Sequence, residues 1–269
     1  MRIVALAVAA ALAGVAVPAL AQDNAPAPAP APAPVRIEEW PTARVAAMGQ
    51  AIFEQDRAAS VATDAFVAHF NRQPPADLTG WVVTPERNAQ RVRFLRADGE
   101  GVKSGWDVVV RNGVAGSVEE AATPLSEAEQ AQFRARNTAA TNVGRLRCSS
   151  PMNAVVLDDP QSDGWLVWLL TSTTDANIVP VGGHYRFHIS ADGGTVVRRD
   201  ILSNTCLDMP RPQRSAQGQP VGMVVSQIVS DGPVETHVFL SLQNRLTIFV
   251  LAGEKVFQVN GARIREVRR

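Results

Sequence analysis

Trp165-Leu166-Val167-Trp168-Leu169-Leu170 is apolar at every one of its positions. On a strand Trp165, Val167 and Leu169 point one way, and Leu166, Trp168 and Leu170 the other. The pattern therefore demands a central strand covered on both faces. Ala154–Leu157 precedes it across an aspartate-rich turn, Asp158 to Gly164. Beyond it, His184–Ile189 and Thr195–Ile201 flank Ala191-Asp192-Gly193-Gly194, which reads as an antiparallel hairpin with a short Gly-rich loop.

Towards the N-terminus, Trp40-Pro41-Thr42 opens a helical pattern. Val45, Met48, Ile52, Ala59, Ala62, Phe66 and Phe70 recur at helical spacing before Pro74-Pro75 ends the run, as one long helix or two with a joint near Ser60. Three strand-like pieces follow, Trp81–Thr84, Val92–Leu95 and Trp106–Val110, beside the turn signals Asp98-Gly99 and Asn112-Gly113. Ser126 and Glu129 have the spacing of a capping box and start a second helix that runs to about Thr141. Towards the C-terminus, Val221–Val229, His237–Leu242, Leu246–Leu251, Val256–Val259 and Ala262–Val267 read as strands, with Asn260-Gly261 as a hairpin turn.

The order predicts an α+β fold of mainly antiparallel sheet in meander and hairpin order, with one long N-terminal amphipathic helix and a second, shorter one. The chain divides into a leader (1–21), an Ala-Pro linker (22–36), an α+β domain (37–209), a surface loop (210–220) and a C-terminal antiparallel meander (221–269) packed on the same domain.

Met1-Arg2, the apolar run Ile3–Val17, Pro18 and Ala19-Leu20-Ala21 have the layout of an export signal cleaved after Ala21. The protein is thus expected in the periplasm or secreted. No later stretch has the length and apolarity of a spanning helix, so no transmembrane segment is expected after cleavage. Ala25-Pro26 repeats through Ala33-Pro34 and favours polyproline II, reaching on the order of 30 Å at ~3.1 Å per residue. It reads as an exported tail in preference to a spacer.

Cys148 and Cys206 are the only cysteines. An exported chain pairs them, and closing that loop stabilises by roughly 4 kcal/mol on the chain-entropy model. Charge is balanced at 26 basic against 26 acidic residues. A phosphate-gripping protein carries a basic excess, so nucleic acid is set aside as a partner.

His184 and His188 are spaced like half a zinc motif, but on a strand they stand ~13 Å apart at ~3.3 Å per residue and share no metal. What remains is a polar stripe of His184, Arg186 and His188 on one sheet face. It is the candidate binding surface, weighed against the plainer reading of a solvated sheet face, which is preferred. His69 sits where a cation favours a helix C-terminus, and His237 reads as a solvated strand edge. The Asp159–Gly164 run lacks the bidentate Glu of a calcium loop, Leu170 standing in its place. Trp81, Trp106, Trp165 and Trp168 are expected to anchor the core. There is no Gly-x-Ser-x-Gly, no phosphate loop, no dinucleotide fingerprint and no Cys/His grid. No catalytic residue, metal or cofactor is assigned.

The expectation is a non-catalytic exported module that binds an envelope ligand or protein not identified by the sequence. A hydrolase of envelope polymers or peptides would instead bring His184 or His188 beside a carboxylate inside a cleft. An envelope assembly factor would show a large exposed apolar patch.

Overall fold

Thr42–His69 forms one unbroken 28-residue helix, α1, with no joint at Ser60. Val45, Ile52, Ala62 and Phe66 of the expected stripe are buried, and Gly49, Gln55 and Ala58 share that face. The computed structural model describes residues 35–212 and 222–267; the leader, the Ala-Pro run as far as Pro34 and most of the 210–220 loop lie outside the described residues.

After α1, β1 (Leu78–Glu86), β2 (Ala89–Asp98), β3 (Gly101–Arg111) and β4 (Val114–Glu120) form a four-stranded antiparallel meander. The fourth strand was not expected. Its residues are exposed or half-buried throughout, so it lacks an alternating apolar face. Its one signal was the Asn112-Gly113 turn, where φ is 52° and 74°. Helix α2 (Glu127–Thr141) starts on the expected capping box: the Glu129 N–H donates to Ser126 Oγ (3.2 Å) and the Ser126 N–H to Glu129 Oε2 (2.9 Å).

The second sheet has the order β5 (Asn153–Asp158), β6 (Trp165–Leu170), β8 (Tyr185–Ile189) and β9 (Val196–Ile201), antiparallel throughout. Between β6 and β8 the chain makes a short strand, β7 (Ile178–Pro180), which pairs with β10 (Asp208–Pro210). The Cys148–Cys206 disulfide joins the segment before β5 to the segment after β9. All six β6 residues are buried. Trp165, Val167 and Leu169 pack with Ala131, Ala135 and Ala139 of α2, and Leu166, Trp168 and Leu170 join a core containing Val45 and Ile52 of α1.

The C-terminal region corrects two expectations. His237–Leu242 is not a strand but lies within a helix, α3 (Glu235–Asn244). The expected strand Val221–Val229 shrinks to β11 (Met223–Ser226), which pairs parallel with β12 (Thr247–Ala252) across that helix. Only β12, β13 (Lys255–Asn260) and β14 (Arg263–Val267) make the antiparallel meander. Val238, Phe239, Leu240 and Ser241 are all buried, and a short run buried on every side carries no period that separates helix from strand. Packing settles it: a Cβ on Gly49 of α1 would stand 2.4 Å from Val238 Cβ and 2.6 Å from the Glu235 carbonyl, so the two helices approach at a residue with no side chain.

Helix α1 lies across the first and second sheets on one side and α2 on the other. Ala58, Ala62 and Phe66 of α1 pack on Val83, Phe94 and Trp106, whereas Val82 and Leu95 on the opposite face meet Leu125 and Phe133. The two sheets thus meet edge to edge, β1 beside β5. Among the described residues no helix is long and apolar enough to cross a membrane.

Candidate functional site

The stripe on β8 is not a solvated face. Arg186 is 1% exposed. Its guanidinium bonds Asp200 Oδ2 through Nε (3.2 Å) and Nη2 (2.6 Å), Glu235 Oε1 and Oε2 through Nη1 (3.2 and 3.3 Å), and the Glu38 carbonyl through Nη2 (2.6 Å). Those five bonds match the five N–H groups a guanidinium owns. Trp168 Nε1 donates to Glu235 Oε1 (2.8 Å), and Trp40 stacks on the guanidinium, 3.8 Å from ring centroid to Cζ.

His188 stands at the rim of this knot. Its Nε2 is 3.0 Å from Glu38 Oε2 and its Nδ1 3.5 Å from Asp159 Oδ2. The Nε2 contact lacks hydrogen-bond geometry, and neither atom has another bond. Glu38, His188 and Asp200 each bring an atom within 4.8 Å of the others. Asp200 is nevertheless spent as a ligand, because Oδ1 accepts from Arg198 (2.9 Å) and Oδ2 from Arg186. His184 lies apart from both. Its Nδ1 accepts the Thr171 N–H (3.0 Å) and its Nε2 bonds the Pro180 carbonyl (3.1 Å). Burial pushes its pKa down to about 4, against the Pro180 bond. His237, expected at a solvated edge, is buried in α3; its Nδ1 accepts the Val234 N–H (3.0 Å), and burial, then the neighbouring His184, lower it to about 3.

Asp159 organises the turn as expected, accepting from the Gln161 N–H (3.0 Å) and Ser162 Oγ (3.0 Å). Trp106, Trp165 and Trp168 are buried, whereas Trp81 is half-buried beneath the Arg136 guanidinium. His69 is exposed at the end of α1, as its position implied.

The open polar site lies elsewhere, in the seam between β1 and β5. Two glutamines reach it from opposite sides, Gln55 from α1 and Gln132 from α2. Gln55 Nε2 donates to the Val156 carbonyl (2.8 Å) and, more weakly, to that of Val83 (3.5 Å); its Oε1 accepts the Val156 N–H (2.9 Å). Gln132 Nε2 donates to the carbonyls of Val83 (2.9 Å) and Val156 (3.2 Å). Each carboxamide therefore bridges the two strand edges.

A cavity of about 370 Å³ opens beside this bridge, between Thr84-Pro85 of β1 and Leu157-Asp158 of β5. Ala51 of α1, Ala128 of α2 and Trp165 contribute apolar wall, and Gln90 and Arg91 contribute polar wall. Gln132, only 6% exposed, has an Oε1 with no hydrogen-bond partner; Gln90 Oε1 and Arg91 Nε are in the same condition. Glu129 is committed, facing Arg93 at 3.2 Å and Arg91 at 3.4 Å. Buried polar atoms are nearly always bonded, so a carboxamide oxygen left unpaired beside a cavity calls for a partner.

Sequence reasoning missed both glutamines. The available signal was Gln55 three residues after Ile52, a polar residue on the apolar stripe of α1. No protein family model, curated protein or solved structure matches the chain.

Proposed function

We propose that this is an exported binding protein of the periplasm or cell envelope, which holds its ligand in the seam between β1 and β5 and performs no chemistry on it. The export reading rests on the leader and its Ala19-Leu20-Ala21 site; the Cys148–Cys206 bridge is compatible with an oxidising compartment. The binding reading rests on one observation, the cavity of about 370 Å³ between β1 and β5, beside which the buried Gln132 carboxamide oxygen has no partner. The cavity has the size and mixed lining of a small-ligand site.

His188 between two carboxylates is the feature that favours the hydrolase reading, yet it bonds no hydroxyl or thiol among the described residues. The binding reading is tested by native mass spectrometry of mature protein recovered from an envelope extract. A small-molecule or peptide adduct is expected, and Ala51→Trp, which fills the cavity mouth, should abolish it. An adduct of equal occupancy in both proteins, or none in either, overturns the reading.

A further inference from the structure

We propose that the ligand is an extended peptide segment that pairs its backbone with the open edge of β5; this inference rests on the binding reading above. Gln55 shows what that edge accepts. Its side-chain amide exchanges two hydrogen bonds with one residue, Val156 N–H to Oε1 (2.9 Å) and Nε2 to Val156 carbonyl (2.8 Å). Residues of neighbouring antiparallel strands make the same two-bond exchange. A peptide group in miniature already occupies one pairing position, and the ladder is left to continue.

The next position is set by alternation. Val156 turns its N–H and C=O out of the second sheet, so Asp158, two residues on in an unbulged ladder, turns its own to the same side. On β1, Val83 faces the seam, and Pro85 follows it at the same parity. A proline is tolerated there because an edge position needs no ladder N–H, and its carbonyl is the group it offers. The seam beyond the glutamines thus presents a donor and an acceptor from Asp158 and an acceptor from Pro85.

The side chains are consistent with it. Beside the cavity Gln132 Oε1 and Gln90 Oε1 are unpaired acceptors and Arg91 Nε an unpaired donor, all three buried, so a peptide reaches them only as their side chains turn toward it. A peptide carries both kinds of group in alternation; an acyl chain carries neither along its length. The apolar wall of Ala51, Ala128, Leu157 and Trp165 receives small apolar side chains between those bonds. Strand addition of this kind takes affinity from main-chain bonds and selectivity from alternate side-chain pockets.

The test uses the mature full chain with a pool of acetylated, amidated tripeptides of Ala, Val, Leu and Phe, the same pool N-methylated at the central backbone nitrogen, and decanoate, read by ligand-detected saturation-transfer NMR. The parent tripeptides are expected to bind, and the N-methylated ones at least ~10-fold more weakly, the worth of about one hydrogen bond. Gln132→Met should weaken the parent peptides by a similar factor with an unchanged circular-dichroism spectrum. Equal binding of parent and N-methylated peptides overturns the inference without needing any variant. Decanoate binding that Ala51→Trp abolishes, with no peptide binding, also overturns it and leaves the seam standing as a binding site. Binding by neither class, with no adduct on the protein from the envelope, removes the inference and the reading beneath it together.

Discussion

The Arg186 guanidinium and the glutamine pair Gln55 and Gln132 are both buried polar groups at the meeting of sheet and helix, and they differ in whether their own bonding capacity is exhausted. Arg186 makes five hydrogen bonds to Asp200, Glu235 and the Glu38 carbonyl. No donor on that guanidinium is left for a ligand. The seam glutamines tie two strand edges together, and Gln132 keeps an oxygen without a partner beside a cavity. A buried charge whose partners are complete is a fixture of the fold. A buried amide with a bond to spare is a place where something else can sit.

The largest effect expected from breaking this contrast is at the knot. Arg186→Met leaves Glu235 buried without a cation and Asp200 with Arg198 alone, and removing one partner of a buried pair costs about 3–5 kcal/mol. Urea unfolding should show that loss. Adding Asp200→Asn and Glu235→Gln should recover part of it, since neutral amides need no counter-charge. A loss below ~1 kcal/mol would mean that the knot is not the fixture described.

Next in size is acid. His184 and His237 are buried and held neutral, with pKa values near 4 and 3. The unfolded chain takes up these protons near pH 6.5 and the folded chain does so only well below that. Their stabilising effect is therefore complete above pH 6.5 and is lost as pH falls, on the order of 3 kcal/mol for His184 by pH 4. His184→Gln can keep one donor and one acceptor and does not titrate, so it should flatten this limb of the stability–pH curve. An unchanged limb would show that His184 does not drive it.

The seam supplies the smaller and more discriminating pair. Gln55→Leu strips the Val156 N–H of its acceptor and leaves the Val156 carbonyl only the longer of its two donors, and should cost roughly 1–3 kcal/mol. Gln132→Leu leaves the Val156 N–H paired and both carbonyls in reach of Gln55, weakly at Val83; about 1 kcal/mol or less is expected. Equal losses would mean that Gln132 is structural, and its spare oxygen would lose its meaning as a ligand group.

How much of this was legible in the residues follows from how local each signal was. The all-apolar β6, the Ser126–Glu129 cap and the cysteine pairing depend on neighbours in sequence or on compartment, and each was readable. Helix α3 was not, because Val238 to Leu242, Ser241 apart, is apolar whichever way it is wound, and only the approach of Gly49 decides. The stripe on β8 was found but misjudged: alternation showed that Arg186 and His188 share a face, not that Glu38 and Glu235 would come from distant segments to cover it. The seam was missed for the same reason. Gln55 and Val156 lie on different elements, and the edge-to-edge meeting of two sheets leaves no periodic trace.

The smallest effect expected concerns Asp56, next to Gln55 on α1, where burial raises the carboxyl to about 6. For a raised acid the sign is the reverse of the histidines: the folded state holds the proton more tightly, so stability falls as pH rises from about 4 to about 6. Since Asp56 is partly open to solvent, the cost at neutral pH is discounted to the order of 1 kcal/mol. Asp56→Asn should therefore stabilise the protein at pH 7 by about that much and leave it unchanged near pH 4. Asp56 also offsets the histidine limb between these values, so the variant should make the acid decline steeper. A variant that is less stable at pH 7 would mean that the ionised carboxylate has a partner holding it, and the surroundings of the seam would then be more completely paired than the contrast with the knot requires.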